Sequence, residues 1–251
     1  MDIKSLDKLN LEELKKLAKK FKIDKLYKYN KSQLKSKILS IIQQIELSKR
    51  REQEKYNIIS RLGTSGKEAT TYLIEDKNRK QFAKKQYRKN KSVNNIKIEI
   101  DFQEKASKYG ISPKIVDFNK EYKYVVMEKL DYTLFDLLKE NKGKLNEDYQ
   151  QMIVNIIYVL DKIGIFHGDP NLGNFMIKKG KRDKMFIIDF GFSKDITPRL
   201  ISKYKTKTPN QKFMLVGLLL KIKEIAGKIN LNHYRVFKKY LSSQDKELFK
   251  I

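Results

Sequence analysis

The stretch His167-Gly168-Asp169-Pro170-Asn171-Leu172-Gly173-Asn174 constrains this chain more than any other. It places a carboxylate and a carboxamide five residues apart behind a histidine. Further on comes Phe186-Ile187-Ile188-Asp189-Phe190-Gly191, an acid at the end of an apolar run that reads as a strand. Asp169, Asn174 and Asp189 are thus oxygen-bearing side chains at the ends of short elements. Asp, Asn and Gly are also ordinary turn residues at strand ends, so each piece alone says little. Their order, and the partners found upstream, favour a built site over unrelated turns.

A chain of 251 residues allows one medium domain, or one plus a small module. With 40% hydrophobic and 34% charged residues it can pack a core beneath a very polar surface. There is no cysteine, so neither a disulfide frame nor a thiol nucleophile is available. No apolar run approaches the roughly 18 residues of a membrane span, and no signal-like segment opens the chain. The expectation is an intracellular protein without a membrane span. The net charge of +26 is the second strong feature. An AT-rich genome accounts for many lysines but not for 56 basic residues against 30 acidic ones. Self-repulsion makes such an excess mildly destabilising, so it points to a polyanionic partner such as nucleic acid, an acidic protein or an anionic membrane surface.

Three segments are expected. Residues 1–43 form a small helical module, with Leu11, Leu14, Leu17 and Ala18 at helical spacing, acids early and lysines late. A break at Phe21-Lys22-Ile23-Asp24 precedes a second helix, with Ser32 as its N-cap and Leu34, Ile38 and Ile41 inward. Residues 44–55 read as a charged linker or helical extension, and residues 56–251 as the main body. The body opens with β-like runs at Tyr56–Leu62, Thr70–Glu75 and Lys80–Tyr87, the last two joined by an Asp76-Lys77-Asn78-Arg79 turn. A helix over Val93–Tyr109, strands at Pro113–Phe118 and Tyr122–Met127, and then mostly helices complete it.

The run from Leu6 to Ile23, followed by Asn30-Lys31-Ser32-Gln33-Leu34-Lys35-Ser36-Lys37-Ile38, resembles SAP and Rho N-terminal helical modules, with Lys22 where those modules usually carry glycine. That resemblance implies DNA or RNA binding; a packing or protein-docking hairpin is the other reading.

The body resembles protein kinases of atypical type. Thr64-Ser65-Gly66-Lys67-Glu68-Ala69-Thr70-Thr71-Tyr72 is similar to the glycine loop of RIO-type kinases, with Gly63 and Gly66 as its glycines; no P-loop signature is present. Phe82-Ala83-Lys84-Lys85 resembles the end of the third kinase strand, which makes Lys85 the lysine of the α/β-phosphates. Glu99 is its implied carboxylate partner, with Glu104 as the alternative. Val125-Val126-Met127-Glu128-Lys129-Leu130 resembles the hinge, implying Met127 behind the adenine and Glu128 and Leu130 at its edge. In the opening motif the resemblance makes Asp169 the catalytic base and Asn174 and Asp189 the Mg²⁺ ligands, and gives His167 a propping role. His-Gly-Asp is similar to RIO kinases, the kinase subunit of the KEOPS complex and aminoglycoside phosphotransferases. Gly168 replaces the usual arginine and Asn171 a usual lysine, and no A-P-E follows Gly191.

The resemblance therefore implies an α+β, two-lobed protein-kinase-like fold with a reduced helical lobe, preceded by a small all-α module. It implies a serine/threonine protein kinase using ATP and Mg²⁺, with a protein substrate and a nucleic-acid partner, DNA or RNA. A kinase-fold ATPase or switch in a nucleic-acid complex, a non-catalytic nucleic-acid scaffold and a small-molecule kinase are the alternatives.

Overall fold

In this computed structural model, which describes residues 3–63, 66–121 and 123–249, both leading helices begin at asparagine. Helix α1, Leu11–Lys20, is capped by Asn10: its side chain accepts from the Glu13 amide at 2.9 Å, and Glu13 accepts from the Asn10 amide at 2.8 Å. Helix α2, Lys31–Lys55, repeats the device with Asn30 and Gln33. Asn30 is therefore the cap expected at Ser32, because it has Gln three residues on to complete the reciprocal pair; Ser32 lies inside the first turn. Leu14 and Ala18 pack with Leu6, Leu34, Ile38 and Ile42. Ile42 takes the buried place expected of Ile41, which is half-buried. Lys22, at the position where the resembling modules carry glycine, has φ +57°. The left-handed conformation costs a lysine about 1–2 kcal/mol. Residues 44–55 are the second half of α2, without a break.

The chain divides into two compact units, Met1–Asn57 with Glu75–Lys80, and Ile58–Ile74 with Gln81–Ile251. The second opens with a five-stranded sheet of β1 (Asn57–Leu62), β2 (Ala69–Glu75), β3 (Gln81–Tyr87), β4 (Ile115–Asn119) and β5 (Tyr124–Glu128), in the order β1-β2-β3-β5-β4. Thr64, Ser65 and Tyr122, parts of the expected glycine loop and fifth strand, lie outside the described residues. Between β3 and β4 runs α3, Val93–Lys108, capped by Ser92. Its buried face is Ile96, Glu99, Ile100, Gln103 and Ala106, a helical stripe with one acid and one amide among apolar residues. Apolar side chains of that stripe join Ala69, Tyr87, Val125 and Met127 in one cluster beneath the sheet.

The remainder is helical apart from short strands. After β6 (Tyr132–Thr133) come α4 (Leu134–Glu140), α5 (Glu147–Lys162) and β7 (Ile165–Phe166). The hairpin β8 (Phe175–Lys178) and β9 (Lys184–Ile187) pairs antiparallel, and β6 extends it. Then follow β10 (Lys194–Asp195), α6 (Pro198–Tyr204), α7 (Leu215–Ala226), α8 (Arg235–Lys238) and α9 (Ser243–Glu247), with one π-helical segment, Asn210–Met214, leading into α7. A large core gathers around α5, with Leu138, Ile153, Ile157, Phe175, Leu218 and Phe237 fully or almost fully buried. Burying such side chains is worth roughly 1.5–3 kcal/mol each, which is what holds the short strands in register. The lobes join at β9: the Ile187 amide donates to the Ile111 carbonyl at 2.8 Å, and the Ser112 hydroxyl to the Ile187 carbonyl at 2.7 Å. The expected order, a β-rich lobe with one helix and then a helical lobe, is present.

Candidate active site

Lys85 points from β3 into the cleft because β3 alternates and pairs with β5, Lys85 opposite Val125. Its ammonium lies 2.5 Å from Glu99 Oε1 and 3.0 Å from Asp189 Oδ1. Glu99 comes from the buried stripe of α3, and its side chain is 3% exposed. The other candidate partner, Glu104, is exposed. Glu99 has further partners that the sequence did not suggest. Its Oε2 accepts from Lys91 at 2.8 Å, its Oε1 from the Tyr87 hydroxyl at 3.0 Å, and Lys91 also reaches Glu68 at 2.6 Å. An unbroken line of charge thus runs Glu68–Lys91–Glu99–Lys85–Asp189, from the glycine loop to the D-F-G segment.

Burial alone pulls the Lys85 pKa down, but Asp189 and Glu99 outweigh it and the net shift is upward. Burial pushes Asp189 up, and Lys85 outweighs it, so its carboxyl falls below the usual value. Lys91 behaves as Lys85 does, with Glu68 and Glu99 reversing the effect of burial. Burial and then Glu99 push the Tyr87 phenol well up. Both lysines are therefore cationic and Asp189 anionic. Three carboxylates against two ammonium groups leave this line one negative charge in excess.

In the Asp169 loop, Gly168 has φ +79°, and a Cβ there would sit 3.2 Å from the Phe192 carbonyl oxygen. Glycine suits that backbone, and an arginine would be strained as well as crowded. His167 is fully buried, its Nε2 is 3.1 Å from the Ile188 carbonyl, and its ring meets Phe190 edge-on at 5.0 Å. Burial lowers its pKa, so the ring is neutral; Nε2 then donates, and the buried Nδ1 is an acceptor with no partner among the described residues. The Asn174 amide nitrogen donates to Asp169 Oδ2 at 2.8 Å, which fixes the carboxylate and turns the amide oxygen elsewhere. Asn171 accepts from the Gly173 amide at 2.9 Å and so shapes the turn between them. Asp189 is in the left-handed region, φ +65°.

Asn210, at the start of the π-helical segment, braces the loop from below. Its side chain donates to the Ile165 carbonyl at 2.7 Å and accepts from the His167 amide at 2.9 Å. Asp161 of α5 in turn accepts from the Asn210 amide and side chain and from the Gln211 amide, at 2.8–3.0 Å. Nothing local in the sequence marks these residues, because the loop and its brace are more than forty residues apart.

A cavity of about 250 Å³ opens between the lobes. Gly63, Ala83 and Lys85 line it from the sheet, Met127, Glu128 and Leu130 at the hinge, and Asp189 at its far end. Gly66 lies beyond Lys85, lining an adjoining cavity with Lys85 and Asp189, and its carbonyl accepts from Arg88 at 3.1 Å. The Glu128 amide donates to the Lys114 carbonyl, and its carboxylate accepts from the Lys114 amide at 3.2 Å and Lys178 at 3.3 Å. Apart from Glu99, which reaches Lys85 from α3, and its exposed alternative Glu104, the candidate residues read from the sequence thus lie either on the cavities or in the Asp169 loop beside them.

The donor set suits a hard cation. Among the described residues no group of three or more His, Cys, Asp or Glu could hold a metal ion, so an ion here would rest on Asp189, the Asn174 amide oxygen and oxygens of its own ligand. The excess negative charge and the Asn174 oxygen, which accepts no hydrogen bond among the described residues, fit that arrangement.

No curated protein matches the chain. A family model, the ABC1 atypical kinase-like domain, matches residues 31–208, more than half of the chain. The match takes in every candidate residue above and begins at α2, ahead of the boundary expected at Tyr56; it leaves out α1 and lends no support to the SAP-like reading of the leading module. The atypical kinase family shown is ABC1, where the motifs had resembled RIO-type and KEOPS kinases. The chain belongs to the ABC1 atypical kinase-like family, and its fold is that of an atypical protein kinase.

Proposed function

We propose that the protein is an Mg-ATP-dependent phosphotransferase acting on serine or threonine hydroxyls of a protein, in association with nucleic acid. The observation that carries this reading is the Lys85 ammonium between Glu99 and Asp189 at the end of a hinge-lined cavity. Met127, Glu128 and Leu130 would hold the base, Lys85 and the glycine loop the phosphates, and Asn174 with Asp189 the Mg²⁺. Bound Mg-ATP would supply the phosphoryl group and the metal charge that offsets its negative oxygens. Asp169, held by Asn174, orients the incoming hydroxyl and takes its proton. Lys85 keeps its charge throughout because Glu99 and Asp189 raise its pKa. His167 keeps Ile188, and with it Asp189, in place.

The test is phosphate transfer from labelled ATP by the purified chain, to itself or to protein in an extract. Transfer should fall by about 10²–10⁴-fold in Asp169→Ala. Turnover that Asp169→Ala leaves unchanged refutes the assignment. A second reading, an ATPase or nucleotide switch, draws support from the short path after D-F-G, where the seven-residue α6 is the only α-helix before the segment leading into α7. ATP hydrolysis stimulated by RNA without a phosphoprotein product would select it.

A further inference from the structure

The β8–β9 hairpin carries charge that its own fold does not neutralise. Lys178 and Lys184 are partners across the ladder, where like charges repel. The turn between them is Lys179-Gly180-Lys181-Arg182-Asp183. Its one acid is taken by phenols: Asp183 accepts from the hydroxyls of Tyr149 at 2.6 Å and Tyr132 at 3.4 Å. With Lys114, just before β4, these five cations line an open groove of about 690 Å³. Among the described residues only Lys178 of the six has an ion-pair partner, Glu128 at 3.3 Å. Gly110 and Gly180 also line the groove and leave room for close approach. Beside Gly110 stands Tyr109, 58% exposed.

We infer that this groove binds the sugar–phosphate backbone of a single-stranded nucleic acid. The inference rests on the nucleic-acid association proposed above and gives it a place on the kinase-like body. Cations around a concavity, five of the six without an ion-pair partner among the described residues, track a flexible backbone, and the exposed Tyr109, next in sequence to the groove-lining Gly110, offers a ring for a base to stack on. A bilayer is a poorer fit, because the apolar residue in the lining, Phe186, is buried and cannot insert.

The experiment measures binding of labelled oligouridylate to the full chain by anisotropy across a salt series. About five phosphate contacts to a single strand give a log–log slope near −3.5, or roughly a 100-fold loss of affinity between 50 and 200 mM salt. Lys179→Ala/Lys181→Ala/Arg182→Ala should make that slope shallower by about 2 and weaken binding at least about 10-fold at moderate salt. Lys16→Ala/Lys19→Ala/Lys20→Ala, the same charge change on exposed positions of α1, should leave binding within about 2-fold. Both variants are checked by thermal melting and by ATP titration, which the groove substitutions should not alter. Equal losses in the two variants, loss only in the α1 variant, no binding by the unaltered chain, or equally tight binding of duplex, polyglutamate or phosphatidylserine vesicles overturns the inference. Salt-dependent RNA binding that needs the groove, in a protein that does not bind ATP, would uphold the groove and refute the phosphotransferase reading.

Discussion

Glu99→Gln is the most informative single change to the charged line. The substitution keeps the volume and one carbonyl acceptor on a side chain that is 3% exposed, but removes the charge shared by Lys85 and Lys91. Neither lysine is orphaned, since Lys85 retains Asp189 at 3.0 Å and Lys91 retains Glu68 at 2.6 Å. The cost therefore stays below the roughly 3–5 kcal/mol of stranding a buried charge. Hydrogen bonds to charged groups are worth about 1.5–3 kcal/mol each; Glu99 accepts three, from Lys85, Tyr87 and Lys91, and with one lost and the other two kept on a neutral acceptor the loss is about 3 kcal/mol. For a body of this size that is a fall in melting temperature of about 6–12 °C. The assay is thermal unfolding of Glu99→Gln, Lys85→Met and the double variant. Residues sharing one network should be non-additive by at least about 0.5 kcal/mol. A shift under about 1 °C in Glu99→Gln, or strict additivity in the cycle, would show that the line is a surface ornament rather than the frame of the cleft.

The buried histidine gives a pH signature. Burial lowers the His167 pKa, so the native state binds that proton less readily than the unfolded chain. The stability it contributes is full above the ordinary value of about 6.5 and is lost as pH falls through that value towards the depressed one, at up to about 1.4 kcal/mol per pH unit. Urea unfolding at pH 5–7 should show this slope in the unaltered protein and lose it in His167→Gln; identical slopes would contradict the neutral buried ring. Gly217→Ala tests the packing of α7 on the Asp169 loop, because a Cβ there would lie 2.6 Å from Pro170 Cγ. Overpacking of this kind costs about 1–3 kcal/mol. Phosphate transfer should fall along with stability, and a variant unchanged in both would mean that the loop is free of α7.

The candidate-site motifs were legible because each is contiguous: Asp169 and Asn174 share one loop, and Asp189 lies just past the end of β9. Lys85 and Glu99 were readable from resemblance, since strand alternation and a helical stripe carry both inward. Lys91, Tyr87, Asp161 and Asn210 were not, because their roles exist only in contacts between distant segments. Lys91 is one lysine among many in this composition, and only its position beside Glu68 and Glu99 sets it apart. The leading helices failed in smaller ways. Ser32 is a good cap residue, yet Asn30 wins because Gln33 can answer it. The burial of Ile42 rather than Ile41 is a shift of one position that apolar spacing alone does not resolve.

Calorimetric titration of ATP into the full chain, with Mg²⁺ and with EDTA, bears most directly on the cleft. One site per chain is expected, tighter with Mg²⁺ than without, and the gain from Mg²⁺ should vanish in Asp189→Asn and in Asn174→Ala. Lys85→Met should weaken binding under both conditions. ATP binding that ignores both the metal and all three substitutions, or no binding at all, would contradict the account.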